Sequence, residues 1–133
     1  MASKAQDLTG RWDGKFAYPA GRGPPTPFRA VITQSGNGFS GLIDEPDLYR
    51  RGQAMEAEIV GVLAGRSVDF TKTYVGGGWG YENPVDYVGE LSADADRITG
   101  VWSLLDMNGT FEMVRRLAAG AEEVREAEVA LKR

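Results

Sequence analysis

The chain has 133 residues, of which 42% are hydrophobic, 10% aromatic and 26% charged, a composition typical of one soluble globular domain. It contains no Cys and no His, so disulfides, thiolate or imidazole catalysis, Cys-type zinc sites and iron–sulfur clusters are excluded. The formal net charge of −4 argues against a dedicated nucleic-acid binder. We therefore predict no cofactor, no metal site and no nucleic-acid partner.

The first residues lack the apolar stretch of a secretory signal, and no run approaches the roughly 20 apolar residues of a membrane span. This predicts a cytoplasmic protein without a membrane partner. No segment has the composition of an interdomain linker, so residues 1–133 are expected to form a single domain.

Alternation of apolar and polar residues at every second position predicts eight strands. The predicted strands span about 8–18, 27–35, 38–45, 53–63, 67–75, 84–92, 97–105 and 109–116. Glycines are spread at nearly even spacing between Gly10 and Gly109, which is typical of short strands joined by turns.

The connections indicate how these strands are arranged. Short connections follow the second, fourth and sixth strands, and long ones follow the first, third and fifth. In an up-and-down order this asymmetry gives one tight end and one loop-rich mouth, where we expect a tight hairpin over Asp106–Gly109. We predict an all-β fold, an eight-stranded antiparallel up-and-down β-barrel over about 8–116.

The last segment departs from the strand period. Apolar residues fall at helical spacing between 119 and 132, which predicts a C-terminal α-helix. Its apolar stripe is narrow, which favours a solvated helix lying on the barrel, with a dimerisation helix as the alternative.

The apolar register of the strands defines an inward face, and three of its residues predict a closed floor. Trp12 and Trp102 end matching tetrapeptides, Thr9–Trp12 and Thr99–Trp102, on strands that enter from the tight end. The last strand must close beside the first, which brings Arg115 near Trp12, where a guanidinium can stack on the indole. We predict a floor built from Trp12, Trp102 and Arg115.

Gly10-Arg11-Trp12 on the first strand, an arginine late on the last strand, eight strands and a C-terminal helix together resemble a calycin-type barrel, the lipocalin and avidin superfamily. The segment Ile98–Leu104, which contains Trp102, is similar to the inward tryptophan strand of avidin. This resemblance implies an antiparallel barrel that holds a small ligand at its open end.

Lys72 breaks the apolar register of the inward face and is the main candidate functional residue. A lysine in an apolar barrel needs a counter-charge or a lowered pKa. The counter-charge could be an internal partner such as Glu45 at the mouth, or the carboxylate of a ligand. The side chain could also snorkel to solvent, or act as an amine base or Schiff-base former.

We expect a barrel that binds a small hydrophobic or amphipathic molecule, with an anionic head group as one option. The residues expected to contact it are Lys72, Tyr74, Phe16, Tyr18, Phe28, Met55, Phe70, Tyr87, Leu104, Phe111 and Trp79. Trp79 lies on a glycine-rich loop and is expected either to act as a lid or to pack on the rim.

Two alternatives remain open at the level of the sequence. One is a barrel filled by its own side chains that serves as an interaction or assembly module, and a homo-oligomer is compatible with it. The other is a small isomerase- or cyclase-type enzyme that uses Lys72. No catalytic residue is assigned.

Overall fold

The computed structural model describes residues 7–19, 23–47, 51–76 and 83–116. All eight elements within these ranges are strands, and they close into one barrel in chain order. The strands are β1 (Gly10–Ala17), β2 (Thr26–Ser35), β3 (Gly38–Pro46), β4 (Ala54–Ala64), β5 (Ser67–Tyr74), β6 (Val85–Leu91), β7 (Arg97–Leu104) and β8 (Met107–Arg115).

The predicted antiparallel up-and-down barrel is confirmed. Each strand pairs antiparallel with its neighbours in sequence, and β8 closes on β1 with Trp12 opposite Arg115. Strand ends differ from the predicted ones by at most two residues. The predicted helix over 119–132 and Trp79 lie outside the described residues.

Period-two alternation explains the core. Inward residues are buried and outward ones are exposed along nearly every strand, because a closed sheet has one dry and one wet face. At several inward positions, Gly100 and Gly14 among them, a larger residue does not fit. A Cβ at Gly100 would lie 2.1 Å from the carbonyl oxygen of Val88, and one at Gly14 would lie 2.3 Å from the Phe28 ring. The missing side chains let the neighbouring strand and ring approach closely.

The two ends of the barrel differ as predicted. At the tight end, short connections bond directly to the neighbouring strands, with Leu63 N donating to Asn37 O and Leu91 N donating to Arg66 O. The opposite end, which we call the open end, is where β1, β3, β5 and β7 end and β2, β4, β6 and β8 begin. Among the inward residues on this side, Tyr18, Tyr74, Leu104 and Met107 are only partly buried.

The turn between β7 and β8 lies two residues earlier in the chain than the predicted hairpin over Asp106–Gly109. The turn is made by Leu105 and Asp106, with Leu105 in the left-handed region at φ 57°, whereas Asn108 and Gly109 belong to β8. Gly109 is needed inside the strand because a Cβ there would lie 2.1 Å from Ala17 O. The Asn-Gly pair, a strong turn signal, here reflects close packing of β8 against β1.

None of the described residues forms a helix long and apolar enough to cross a membrane.

Candidate functional site

Lys72 lies inside the barrel, towards the open end of β5. Its side chain is 1% exposed, so the prediction that it faces inward is confirmed and snorkelling to solvent is excluded. It stands opposite Ile59 on β4 and Val85 on β6, both of which are buried and apolar. An ammonium group in such surroundings requires compensation.

Glu45, near the end of β3, supplies the counter-charge. Lys72 Nζ donates a hydrogen bond of 2.9 Å to Glu45 Oε1, and the carboxylate is 0% exposed. The other carboxylate oxygen, Oε2, accepts a hydrogen bond of 2.7 Å from the Tyr74 hydroxyl. These three side chains form a buried polar cluster, which we call the Glu45–Lys72–Tyr74 cluster.

Aromatic rings surround the rest of the Lys72 ammonium. Nζ lies 4.6 Å from the ring centroid of Phe16, 4.7 Å from that of Tyr74 and 5.3 Å from that of Tyr87. Ring faces carry negative charge density, so each of these contacts favours the protonated amine. Carboxylate and rings together stabilise the ammonium in a place that water does not reach.

Burial and neighbouring charges act in opposite directions on Lys72. Desolvation lowers the pKa of its amine, and the Glu45 carboxylate partly restores it through its charge and its hydrogen bond. Burial also raises the pKa of the Tyr87 hydroxyl well above its usual value, and the negative charge of Glu45 adds to that effect. Tyr87 therefore keeps its proton well into the alkaline range.

The middle of the barrel is occupied by stacked rings. Phe70 and Tyr87 lie parallel with centroids 4.7 Å apart, and Phe111 meets Tyr87 edge-on at 4.9 Å. Phe39 contacts Phe70 from the side of the tight end. Offset-stacked and edge-to-face rings pack densely, so these residues support the polar cluster from below.

Four inward residues near the open end are only half-buried. Tyr18, Tyr74, Leu104 and Met107 are partly buried against the core. The Tyr18 hydroxyl and Thr26 Oγ1 share a hydrogen bond of 3.1 Å. The open end thus combines apolar side chains with hydroxyl groups that can donate and accept hydrogen bonds.

Trp102 does not lie at the floor, and this corrects the sequence prediction. Its indole Nε1 donates to Ala17 O at 2.9 Å, and its ring meets those of Phe16 and Tyr18 edge-on. Trp12 is the third residue of β1, whereas Trp102 is the sixth residue of β7, so matching tetrapeptides reach different heights in the barrel. Trp102 belongs to the open end.

The tight end is closed by Trp12, Arg115 and the chain that precedes β1. The Arg115 guanidinium lies 4.5 Å from the centroid of the Trp12 ring. It donates to the carbonyl oxygens of Asp7, Thr9 and Ala95 at 2.7, 3.0 and 3.1 Å. Every one of these contacts joins chain segments at the end opposite the polar cluster.

The predicted contact residues therefore separate into two groups. Phe16, Tyr18, Tyr74, Tyr87 and Lys72 come together around the Glu45 carboxylate or beside it. Phe28, Met55, Phe70 and Phe111 are buried, with Phe70 and Phe111 in the ring stack below the cluster. Leu104 lies at the open end, and Trp79 is outside the described residues.

Sequence reasoning gives Glu45 only as one possible counter-charge, although the strand pattern also indicates its inward position. The inward register of the third strand, Phe39, Gly41 and Ile43, continues by two residues to Glu45. Asp47 follows in the same parity and is also buried. Extending the alternation past the last apolar residue would have found both carboxylates.

The described residues hold no group of three or more metal-ligating side chains. No protein-family model matches this chain, and no curated protein sequence matches it.

Proposed function

We propose that the barrel binds a small amphipathic molecule at its open end, in contact with the Glu45–Lys72–Tyr74 cluster. The observation that carries this proposal is the fully buried ion pair between Lys72 and Glu45. The pair lies near the strand ends at the open end, where Tyr18 and Tyr74 are only half-buried. The closed up-and-down order of eight strands supports a calycin-type barrel, in which a ligand at the open end is expected.

A buried ion pair is in general weak evidence for a stabilising role. Removing two charges from water costs several kcal/mol, and well-packed apolar residues of similar volume are often as stabilising as a buried pair. Neighbouring inward positions such as Ile59, Val85 and Ile43 are filled by ordinary apolar residues. A charged pair kept at the open end is therefore better explained by recognition than by stability.

The cluster also favours one ligand chemistry. Glu45 already neutralises Lys72 at 2.9 Å, so no acidic group is required from the ligand. The half-buried Leu104 and Met107 offer apolar contact, and Tyr18 and Tyr74 carry hydroxyl groups beside it. We therefore favour a molecule with an apolar body and a neutral hydrogen-bonding head over an anionic one.

Native mass spectrometry of the protein purified without denaturant tests binding directly. We expect a small-molecule mass that is present in the native spectrum and absent after unfolding. Protein stripped of that mass is then titrated with 1-decanol and with decanoate. The change in tryptophan fluorescence, to which Trp102 beside Tyr18 contributes, reports occupancy. Absence of a bound mass together with no saturable response to either probe would overturn the proposal.

Two variants define the site in these titrations. Replacing the buried lysine, Lys72→Met, should weaken probe binding at least about tenfold because it removes the partner of the buried carboxylate. The matched control is Lys15→Met, since Lys15 faces outward with 60% of its side chain exposed. Equal affinities for the two variants would contradict a role of the cluster. Tighter binding of decanoate than of decanol would contradict the neutral head group.

A further inference from the structure

The outside of the barrel carries charges of opposite sign on its two halves. The outward residues of β3–β6, together with the adjoining turn residue Arg66, form what we call the acidic face, with six carboxylates and one arginine: Asp44, Glu56, Glu58, Asp69, Asp86, Glu90 and Arg66. On β7, β8, β1 and β2, together with the adjoining Arg116, cations are in excess. These residues form the basic face: Arg11, Lys15, Arg29, Arg97, Arg116, Asp13 and Glu112.

Four carboxylates of the acidic face have no ion-pair partner among the described residues. Asp44 pairs with Arg29 and Glu90 pairs with Arg66, whereas Glu56, Glu58, Asp69 and Asp86 pair with no cation. Closely spaced carboxylates of like charge repel one another. A cationic surface placed over them would relieve that repulsion.

Exposed aliphatic side chains lie among the charges on both faces. On the acidic face, Val60 is 66% exposed and stands beside Glu58, with Leu42 and Val88 also exposed. On the basic face, Val31 is 45% exposed and is the cross-strand partner of Arg11. Each face therefore offers apolar contact area among charges of which one sign is in excess, a composition compatible with a protein–protein contact.

We propose that the acidic face of one copy of this chain docks against the basic face of a second copy. A second copy is the favoured occupant, because its own barrel carries the complementary charge and matching aliphatic residues. Such a contact uses different surfaces on the two copies, so it is heterologous and leaves one acidic and one basic face unoccupied. Association can then continue to further copies, as a ring or a short chain.

Sedimentation velocity over a range of protein concentrations tests the contact. We expect reversible self-association at low salt, with an apparent dissociation constant that rises at least about tenfold at high salt, because exposed charges are screened. The variant Glu58→Lys should weaken association about fivefold or more. The control Asp106→Lys makes the same change of net charge at the turn between β7 and β8 and should have little effect.

A mixing experiment separates this arrangement from a symmetric dimer. One variant carries Glu58→Lys and Asp69→Lys on the acidic face, and the other carries Arg11→Glu and Lys15→Glu on the basic face. Each alone should be monomeric, because one of its two docking faces is damaged. The mixture should form a one-to-one dimer, because each variant retains the face that the other lacks.

Three results would overturn the proposal. The first is a wild-type protein that stays monomeric at low salt and high concentration. The second is association that strengthens with salt or survives Glu58→Lys unchanged. The third is a mixture that remains monomeric although circular dichroism shows both variants folded. Ligand binding at the open end is measured separately, so failure here leaves the proposed function standing.

Discussion

Two cations interrupt the apolar interior of the barrel, and they are held in opposite ways. Arg115, at the tight end, is 17% exposed, stacks on Trp12 and donates to three backbone carbonyls. Lys72, towards the open end, is 1% exposed and donates to one carboxylate among three rings. Arg115 is thus held by the backbone at the tight end, whereas Lys72 is held by side chains near the open end.

The chemistry of the two side chains explains why Arg115 bonds to backbone carbonyls and Lys72 to a carboxylate. A guanidinium presents a rigid planar fork of donors, so a single Arg115 can join the segment before β1, the turn before β7 and the last strand. An ammonium is a compact charge with three donors, and the hydrogen bond it makes here goes to Glu45. The tight end is held by backbone acceptors that no ligand replaces, whereas the open end depends on side chains.

The largest effect is expected from breaking the buried pair on one side only. Glu45→Leu leaves the Lys72 ammonium and the Tyr74 hydroxyl without their acceptor and should lower the free energy of unfolding by about 3 kcal/mol or more. Urea denaturation at neutral pH measures it. A loss below about 1 kcal/mol would mean that water or a rearranged side chain takes the place of the carboxylate.

The next largest effect is expected from removing the Arg115 guanidinium at the tight end. Arg115→Met should cost about 2–3 kcal/mol, since it removes charged hydrogen bonds to carbonyls along with the stack on Trp12. Arg115→Lys should recover less than half of that loss, because an ammonium cannot reach the carbonyls of Asp7, Thr9 and Ala95 together. Full recovery by lysine would show that only the charge matters.

Close packing between β8 and β1 gives a third prediction. Gly109→Ala should destabilise the fold by about 2 kcal/mol, because its Cβ would lie 2.1 Å from Ala17 O and 2.6 Å from Trp102 Nε1. Gly38→Ala is the matched control, because the nearest atom to its Cβ would be 3.8 Å away. Thermal unfolding of the two variants should differ clearly, and equal midpoints would contradict the close approach.

A fourth prediction concerns the pH dependence of stability that arises from Tyr87, beside the Lys72 ammonium. An unfolded Tyr87 loses its proton near the ordinary pKa of 10.0, whereas the folded protein holds it at higher pH. At pH values between 10.0 and the higher pKa of the folded protein, the folded state binds more protons than the unfolded state. In that range Tyr87 therefore lowers the free energy of unfolding by up to about 1.4 kcal/mol for each further pH unit. The opposite shift of Lys72 raises stability with pH, so the comparison is made between wild type and Tyr87→Phe.

The variant should therefore gain stability relative to wild type between about pH 10 and 11. Urea denaturation at a series of alkaline pH values measures the difference. A difference that does not change with pH would show that Tyr87 titrates normally in the folded protein.

The smallest effect concerns the turn at the open end. Leu105 holds a left-handed backbone at φ 57° and is 79% exposed, so Leu105→Asn should stabilise the protein by about 0.5–1 kcal/mol. Leu42→Asn, at an exposed strand position, should instead be neutral or slightly destabilising. A loss of stability in both variants would indicate that Leu105 makes a stabilising contact at the rim.

These two regions also show how far the sequence could be read. The strands and their inward faces followed from period two, and Arg115 beside Trp12 followed from barrel closure. The height of Trp102 could not be read, since it depends on where β7 begins relative to β1. The turn at Leu105 could not be predicted, because Asn108 and Gly109 carry the stronger turn signal. Gly109 is needed there for close packing inside the barrel, not for a turn.

Only part of the Glu45–Lys72–Tyr74 cluster could be predicted from the sequence. Lys72 was visible because it interrupts an apolar register, but the choice of Glu45 over a ligand carboxylate depends on strand pairing across β3, β4 and β5. A distance of 2.9 Å between residues 27 positions apart is a property of the closed sheet. No local pattern in the sequence specifies it.

The most direct test of the account replaces both members of the pair. The double variant Glu45→Leu/Lys72→Met should unfold within about 1 kcal/mol of the wild type, because apolar residues of similar volume can replace a buried pair. In the same preparation, native mass spectrometry should show that the bound small molecule is lost. A double variant that keeps the small molecule, or that is as unstable as Glu45→Leu alone, would contradict the claim that the pair serves recognition rather than stability.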